Sequence, residues 1–99
     1  MSARLPIGVV GAGSLGMHHA QHLATFPEVE LIGVYDEAPA RASQVAAQVG
    51  TKAFRELDQL FTRVRAVTIA VPTPAPAPVG LAALGRGLAV LIEKHWRAC

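Results

Sequence analysis

Only one cysteine occurs in the 99 residues, and it is the last of them, Cys99. An internal disulfide is therefore excluded, and a reducing compartment, the cytoplasm, is the expected location. Aromatic residues are scarce, at 5%, and the nine basic and seven acidic residues are spread along the chain. With no basic block and no interleaving of aromatic and basic residues, nothing resembles a nucleic-acid surface. Long apolar runs are missing too. The N-terminal run carries one basic residue, Arg4, and is broken by Pro6 and by glycines. It is neither a signal peptide nor a membrane span. The length allows one small domain, and a hydrophobic content of 52% is ample for its core.

What the chain does have is a placed set of glycines. Ile7-Gly8-Val9-Val10 reads as a short buried strand, and Leu15 to Thr25 carries a helical pattern. Between them stands Gly11-Ala12-Gly13-Ser14-Leu15-Gly16. A G-x-G-x-x-G spacing between a strand and a helix is a dinucleotide-binding fingerprint with a mechanism. Gly11 permits the tight turn, Gly13 lets the backbone approach a pyrophosphate, and Gly16 lets the helix pack close to the strand. The helix N-terminus then offers free N–H groups and a positive dipole end to the phosphates. The alternative is a glycine turn that holds no ligand.

Asp36 lies 20 residues after Gly16, at the end of the apolar run Leu31-Ile32-Gly33-Val34-Tyr35. A carboxylate at the tip of a second strand is placed to accept hydrogen bonds from the adenosine ribose. It also repels a 2′-phosphate, and Glu37 adds to that repulsion, so NAD is expected rather than NADP. Arg41, the one nearby cation that could answer a 2′-phosphate, is expected to be a solvated residue of the next helix. Asp36 can also cap that helix. FAD remains an alternative ligand for the same turn.

Apolar runs and helical patterns alternate to the end of the chain. Strands are expected at Ile7–Val10, Val29–Tyr35, Thr51–Phe54, Ala66–Val71 and Leu88–Ile92. Helices are expected at Ser14–Thr25, Pro39–Val49, Glu56–Phe61 and Pro78–Gly85, with Gly50 stopping the second. Gly8 and Gly33 sit inside strand patterns, where glycine marks the close approach of a packed helix. The fold class is α/β, a Rossmann-type doubly wound parallel sheet of about five strands. Its ligand crevice lies outside the carboxyl ends of the first and fourth strands. The loop Pro72-Thr73-Pro74 should line it, although the proline-rich run to Pro78 could also be a rigid linker.

These residues resemble the N-terminal domain of the glucose–fructose oxidoreductase and inositol dehydrogenase (Gfo/Idh/MocA) family. The resemblance rests on Val9 to Gly16 followed by His19, on Asp36, and on Phe54 before Leu57-Asp58-Gln59-Leu60. It rests also on Ala70-Val71-Pro72-Thr73-Pro74 and on Ala82-Ala83-Leu84 leading into Glu93-Lys94. It implies hydride transfer between a nicotinamide cofactor and a sugar or polyol hydroxyl. The cofactor-binding set it implies is Gly11, Ala12, Gly13, Ser14, Leu15, Gly16, Asp36, Val71, Pro72, Thr73 and Glu93. Lys94 is the implied catalytic residue, its ammonium hydrogen-bonding the developing alkoxide or carbonyl oxygen. Pro76 stands where the family often has histidine. The family's Glu-Lys is normally followed by proline and then by a sheet-rich domain that binds substrate, supplies an Asp and His acid/base pair and often dimerises. Here His95-Trp96-Arg97-Ala98-Cys99 follows instead.

The expected organisation is thus a dinucleotide-binding domain over residues 1–94 and an unstructured tail over 95–99. The tail reads as shifted in frame. With one C restored before His95, the codons CCA, CTG or TTG, and GCG spell Pro-Leu-Ala, the family's continuation. As a catalyst the chain is expected to be incomplete, and a non-enzymatic NAD-binding module that senses redox state is the alternative. Self-association through an exposed sheet edge is expected. His18 and His22 are spaced for one helix face but lack an evident third ligand, so no metal is expected. Thr73, finally, can contact cofactor or satisfy turn backbone.

Overall fold

The structure, a computed structural model, describes residues 4–11, 13–70 and 77–92. Strands and helices alternate through them: β1 (Leu5–Val10), α1 (Ser14–Ala24), β2 (Val29–Tyr35), α2 (Pro39–Val49), β3 (Lys52–Phe54), α3 (Leu57–Phe61), β4 (Ala66–Ile69), α4 (Ala77–Gly85) and β5 (Ala89–Ile92). Every pairing is parallel, in the order β3-β2-β1-β4-β5. The chain builds outward from β1 to β3, then crosses back to place β4 on the other side of β1. That reversal opens a crevice beyond the carboxyl ends of β1 and β4, as a doubly wound sheet requires.

Local chemistry sets the boundaries. Pro39 opens α2, and Gly50 closes it at φ 78°, donating its N–H to the Ala46 carbonyl at 2.9 Å. Only glycine adopts that left-handed cap cheaply. Thr51 belongs to this cap rather than to β3: its N–H also reaches Ala46 O, and its hydroxyl donates to Leu31 O. β1 begins at Leu5, two residues before the expected Ile7, because Pro6 is tolerated near a strand start and its carbonyl accepts from Arg65 N–H. β4 stops at Ile69 although the apolar run continues; Ala70 N–H still reaches Val10 O at 2.9 Å. Leu88 precedes β5 because its N–H is bonded back to Ala83 in α4.

The core lies on both faces of the sheet. On one, Val10, Val67 and Ile69 pack with Leu60 and Phe61 of α3, Ala83 of α4, Val64 and Leu88. On the other, Val9 and Val34 pack with Ala20 of α1 and with Ala42 and Val45 of α2. A bulge interrupts β2: Ile7 pairs with Leu31, but Gly8 pairs with Gly33. The extra residue is Ile32. It resets the alternation, so that Ile32 and Tyr35 both pack on the α3–α4 face while Leu31 and Val34 pack on the other.

The bulge also sets two glycines side by side. A Cβ on Gly8 would lie 2.8 Å from Leu60 Cδ1, so α3 makes the close approach expected there. Gly33 differs from expectation. Its neighbour is no helix but the Phe54 ring of the adjacent strand β3, with Lys52 O also 2.9 Å from a built Cβ. The two sheet edges differ in character. β3 is three residues long and carries an exposed lysine, Lys52. β5 carries no charge; its Leu91 is exposed, as are Leu81 and Leu84 on α4.

Candidate functional site

The site starts where β1 ends. Gly11 N–H donates to Tyr35 O at 2.7 Å, tying the tip of β1 to the tip of β2. Gly11 turns at φ 101°, a conformation L side chains rarely adopt. Gly13 then caps α1 with extended backbone, φ −74° and ψ −166°, and its carbonyl accepts the first helical bond from Met17 N–H at 2.8 Å. A glycine cap has no side-chain acceptor, and α1 has no acidic residue in its first turn. The first amides of the helix are left for an external acceptor, and the dipole favours an anion there.

The three glycines serve for different reasons. Gly13 is exposed, and a Cβ built on it would meet nothing within 4 Å. That open space is what a pyrophosphate needs. Gly16 is buried against Gly11, and a Cβ there would overlap the Gly11 carbonyl oxygen and come within 2.6 Å of its carbon. Gly11 supplies the turn itself. The residues present therefore fit a dinucleotide.

Asp36 follows β2 directly. Its Oδ2 accepts from Ala38 N–H at 2.8 Å, which braces the turn into α2; the helix cap expected of it falls instead to Ala38, which has no side-chain cap bond. Arg41 was expected to be a solvated helix residue. It is largely exposed, yet its Nη1 lies 3.8 Å from the same Asp36 oxygen. The sequence signal for this pair is weak, because the two residues straddle a helix start. Glu37 beside them is exposed.

Ser14, Leu15 and Gly16 open α1 at the tip of β1. Ala12, Val71, Pro72, Thr73, Glu93 and Lys94 lie outside the described residues, as do Pro74, Pro76 and the tail from His95 to Cys99. The strands leading to them are in place, with Ile69 paired to Ile92. His18 and His22 are both exposed, and the His22 ring meets Phe26 edge-on at 5.2 Å. Among the described residues no three metal-ligating side chains come together. No helix among them is long and apolar enough to cross a membrane. A depression of about 400 Å³ lined by Glu30, Thr51, Lys52, Phe54 and Arg63 lies at the amino ends of β2 and β3, opposite the glycine turn.

Residues 5–94 match an oxidoreductase family described by its NAD-binding Rossmann fold. The chain is 42% identical over 87 residues to UDP-N-acetylglucosamine 3-dehydrogenase of Acidithiobacillus ferrooxidans, a span of 88% of this chain and 27% of that protein. It is 35% identical over 88 residues to glucose-6-phosphate 3-dehydrogenase of Bacillus subtilis, covering 89% and 25%. Among solved structures, GenD2 from gentamicin A biosynthesis, in complex with NAD, superposes with a TM-score of 0.87 at 32% identity, over 95% of this chain and 28% of that one. The chain thus spans about a quarter of the length of the curated relatives it matches. A strand, glycine turn and helix of dinucleotide-binding geometry, within a match over nearly the whole length, show that the chain belongs to the Gfo/Idh/MocA family of oxidoreductases and forms its NAD-binding Rossmann domain.

Proposed function

We propose that residues 1–94 form the cofactor-binding unit of a cytoplasmic dehydrogenase that acts on sugar or polyol hydroxyls. The open space at Gly13, before the uncapped N-terminus of α1, carries this reading. The turn Gly11 to Gly16, including Ala12, Ser14 and Leu15, receives the pyrophosphate on main-chain N–H groups. Asp36 accepts from the adenosine ribose hydroxyls. Val71, Pro72 and Thr73 wall the cofactor, and Glu93 completes its contacts. The bound nicotinamide supplies hydride transfer. Lys94 hydrogen-bonds the substrate oxygen as charge develops on it. The names of the relatives, which oxidise sugar derivatives and inositols, support the substrate class. Substrate choice and an acid/base pair belong to a further, sheet-rich domain, so turnover is expected only in its presence.

A calorimetric titration tests the assignment. NAD should bind saturably at one site and more tightly than NADP. An absence of saturable binding overturns the reading, and tighter binding of NADP overturns the choice of cofactor.

The uncharged β5 edge, flanked by exposed Leu81, Leu84 and Leu91, supports self-association of two copies through that edge. Sedimentation of the chain should show concentration-dependent dimers, and Leu91→Lys should shift it to monomer. A parent chain that stays monomeric at high concentration would contradict this.

A further inference from the structure

α3 is only five residues long, and it places Leu60 over Gly8 of β1. Part of β2 and β3 is left open on the same face. Ile32 and Phe54, which pack against the α3–α4 core, are half-buried there. Glu30 and Lys52, each two residues earlier on its strand, share their faces and are exposed. The result is the depression of about 400 Å³, which Arg63, following α3, also lines. Small-molecule sites occupy about 300–1,000 Å³, so the space is large enough for a compact ligand.

The lining carries two cations and one carboxylate. Among the described residues, the side chains of Glu30, Lys52 and Arg63 make no hydrogen bond or ion pair; the ion pairs lie elsewhere, at Asp36–Arg41 and Asp58–Arg86. The excess of positive charge favours an anion. Lys52 comes from β3 and Arg63 from the turn after α3, and a phosphate has oxygens enough for both. Glu30 opposes a bare anion, yet it accepts from a hydroxyl that the same ligand carries. The Phe54 ring, lying over Gly33, offers an apolar surface to the carbons between. The supports are already fixed: Thr51 Oγ1 donates to Leu31 O at 2.9 Å, and Arg63 N–H donates to Leu60 O at 3.0 Å.

We propose that this depression is a second ligand site, which takes a small phosphate monoester bearing hydroxyl groups. Lys52 and Arg63 hold the phosphate, Glu30 takes a hydroxyl, and Phe54 walls the carbon chain. The site lies at the opposite end of the sheet from the glycine turn and stands independently of the reading of that turn.

Amide NMR at low ionic strength, with glycerol 3-phosphate as the probe, tests it. Saturable shifts should centre on Glu30, Thr51, Lys52 and Arg63. Inorganic phosphate should bind there about threefold more weakly, because it brings no carbon-borne hydroxyl to Glu30. Lys52→Gln and Arg63→Gln should each weaken glycerol 3-phosphate about threefold, and together about tenfold. Glu30→Ala should tighten inorganic phosphate and abolish the preference for the ester. All three side chains are exposed, so the variants should keep the fold, and the unshifted amides of the remaining strands check that they do. Shifts that centre on the glycine turn alone overturn the proposal. So do equal affinities for the two phosphates in the parent, which would mark mere surface charge, and shifts at the depression that survive undiminished in the Lys52→Gln, Arg63→Gln double variant.

Discussion

Gly16→Ala should destabilise the domain by about 3 kcal/mol or more. In an ordinary helix interior the change is favourable, by up to about 1 kcal/mol. Here the added methyl would overlap the Gly11 carbonyl and lie 2.6 Å from its carbon. The residue that carries this carbonyl is itself anchored to the sheet. Gly11 is fixed by its N–H bond to Tyr35 O and by its turn at φ 101°. The helix must move off the strand instead, loosening the packing of Ala20 against Val9 and Val34. A domain of this size has about 5–15 kcal/mol in all, so the loss is a large share. Urea unfolding should show a midpoint well below the parent's. A midpoint equal to or above the parent's would mean that helix and strand are not in contact at Gly16.

Gly13→Val should do the reverse, sparing the fold and removing the ligand. Gly13 sits at φ −74°, open to any residue, and its Cβ direction is empty. Valine is a poorer helix cap than glycine, so stability should fall by no more than about 1 kcal/mol. Its branched side chain fills the space that a pyrophosphate must enter. Two charged hydrogen bonds lost, at about 1.5 kcal/mol each at the least, weaken NAD about a hundredfold or more. Calorimetry alongside a thermal melt separates the two effects. Unchanged NAD affinity in a folded variant would remove the glycine turn from the binding site.

Elements bounded by strong local chemistry were legible in the sequence. α2 runs from Pro39 to Val49 as expected, because Pro39 and Gly50 set its limits in backbone geometry. β2 also has its expected ends. The three turn glycines carry distinct geometric requirements, and each is visible in the structure. Tertiary pairings were harder to read. Gly33 answers to Phe54, a residue on another strand, which no local pattern reveals. β4 ends before its apolar run does, since strand length follows from partners as well as from propensity. The Asp36–Arg41 pair crosses from a strand tip to a helix, outside both periodicities. The family motifs around Val71–Thr73 and Glu93-Lys94 remain the basis for those residues' proposed roles.

The bulge at Ile32 has a consequence for how the sheet finds its alignment. Parallel backbone ladders repeat, and hydrogen bonding alone scarcely distinguishes one offset from the next. Here volume makes the distinction. Slide β2 along β1 by one residue, and Ile32 rather than Gly33 stands beside Gly8. Its bulk would then crowd the space that the Phe54 ring needs beside Leu60. The paired glycines thus act as a gauge that admits a single offset between the two strands. The same offset brings Gly11 N–H to Tyr35 O and sets the distance between the glycine turn and Asp36. The spacing of the site is measured out by two residues that face Leu60 and Phe54 within the core.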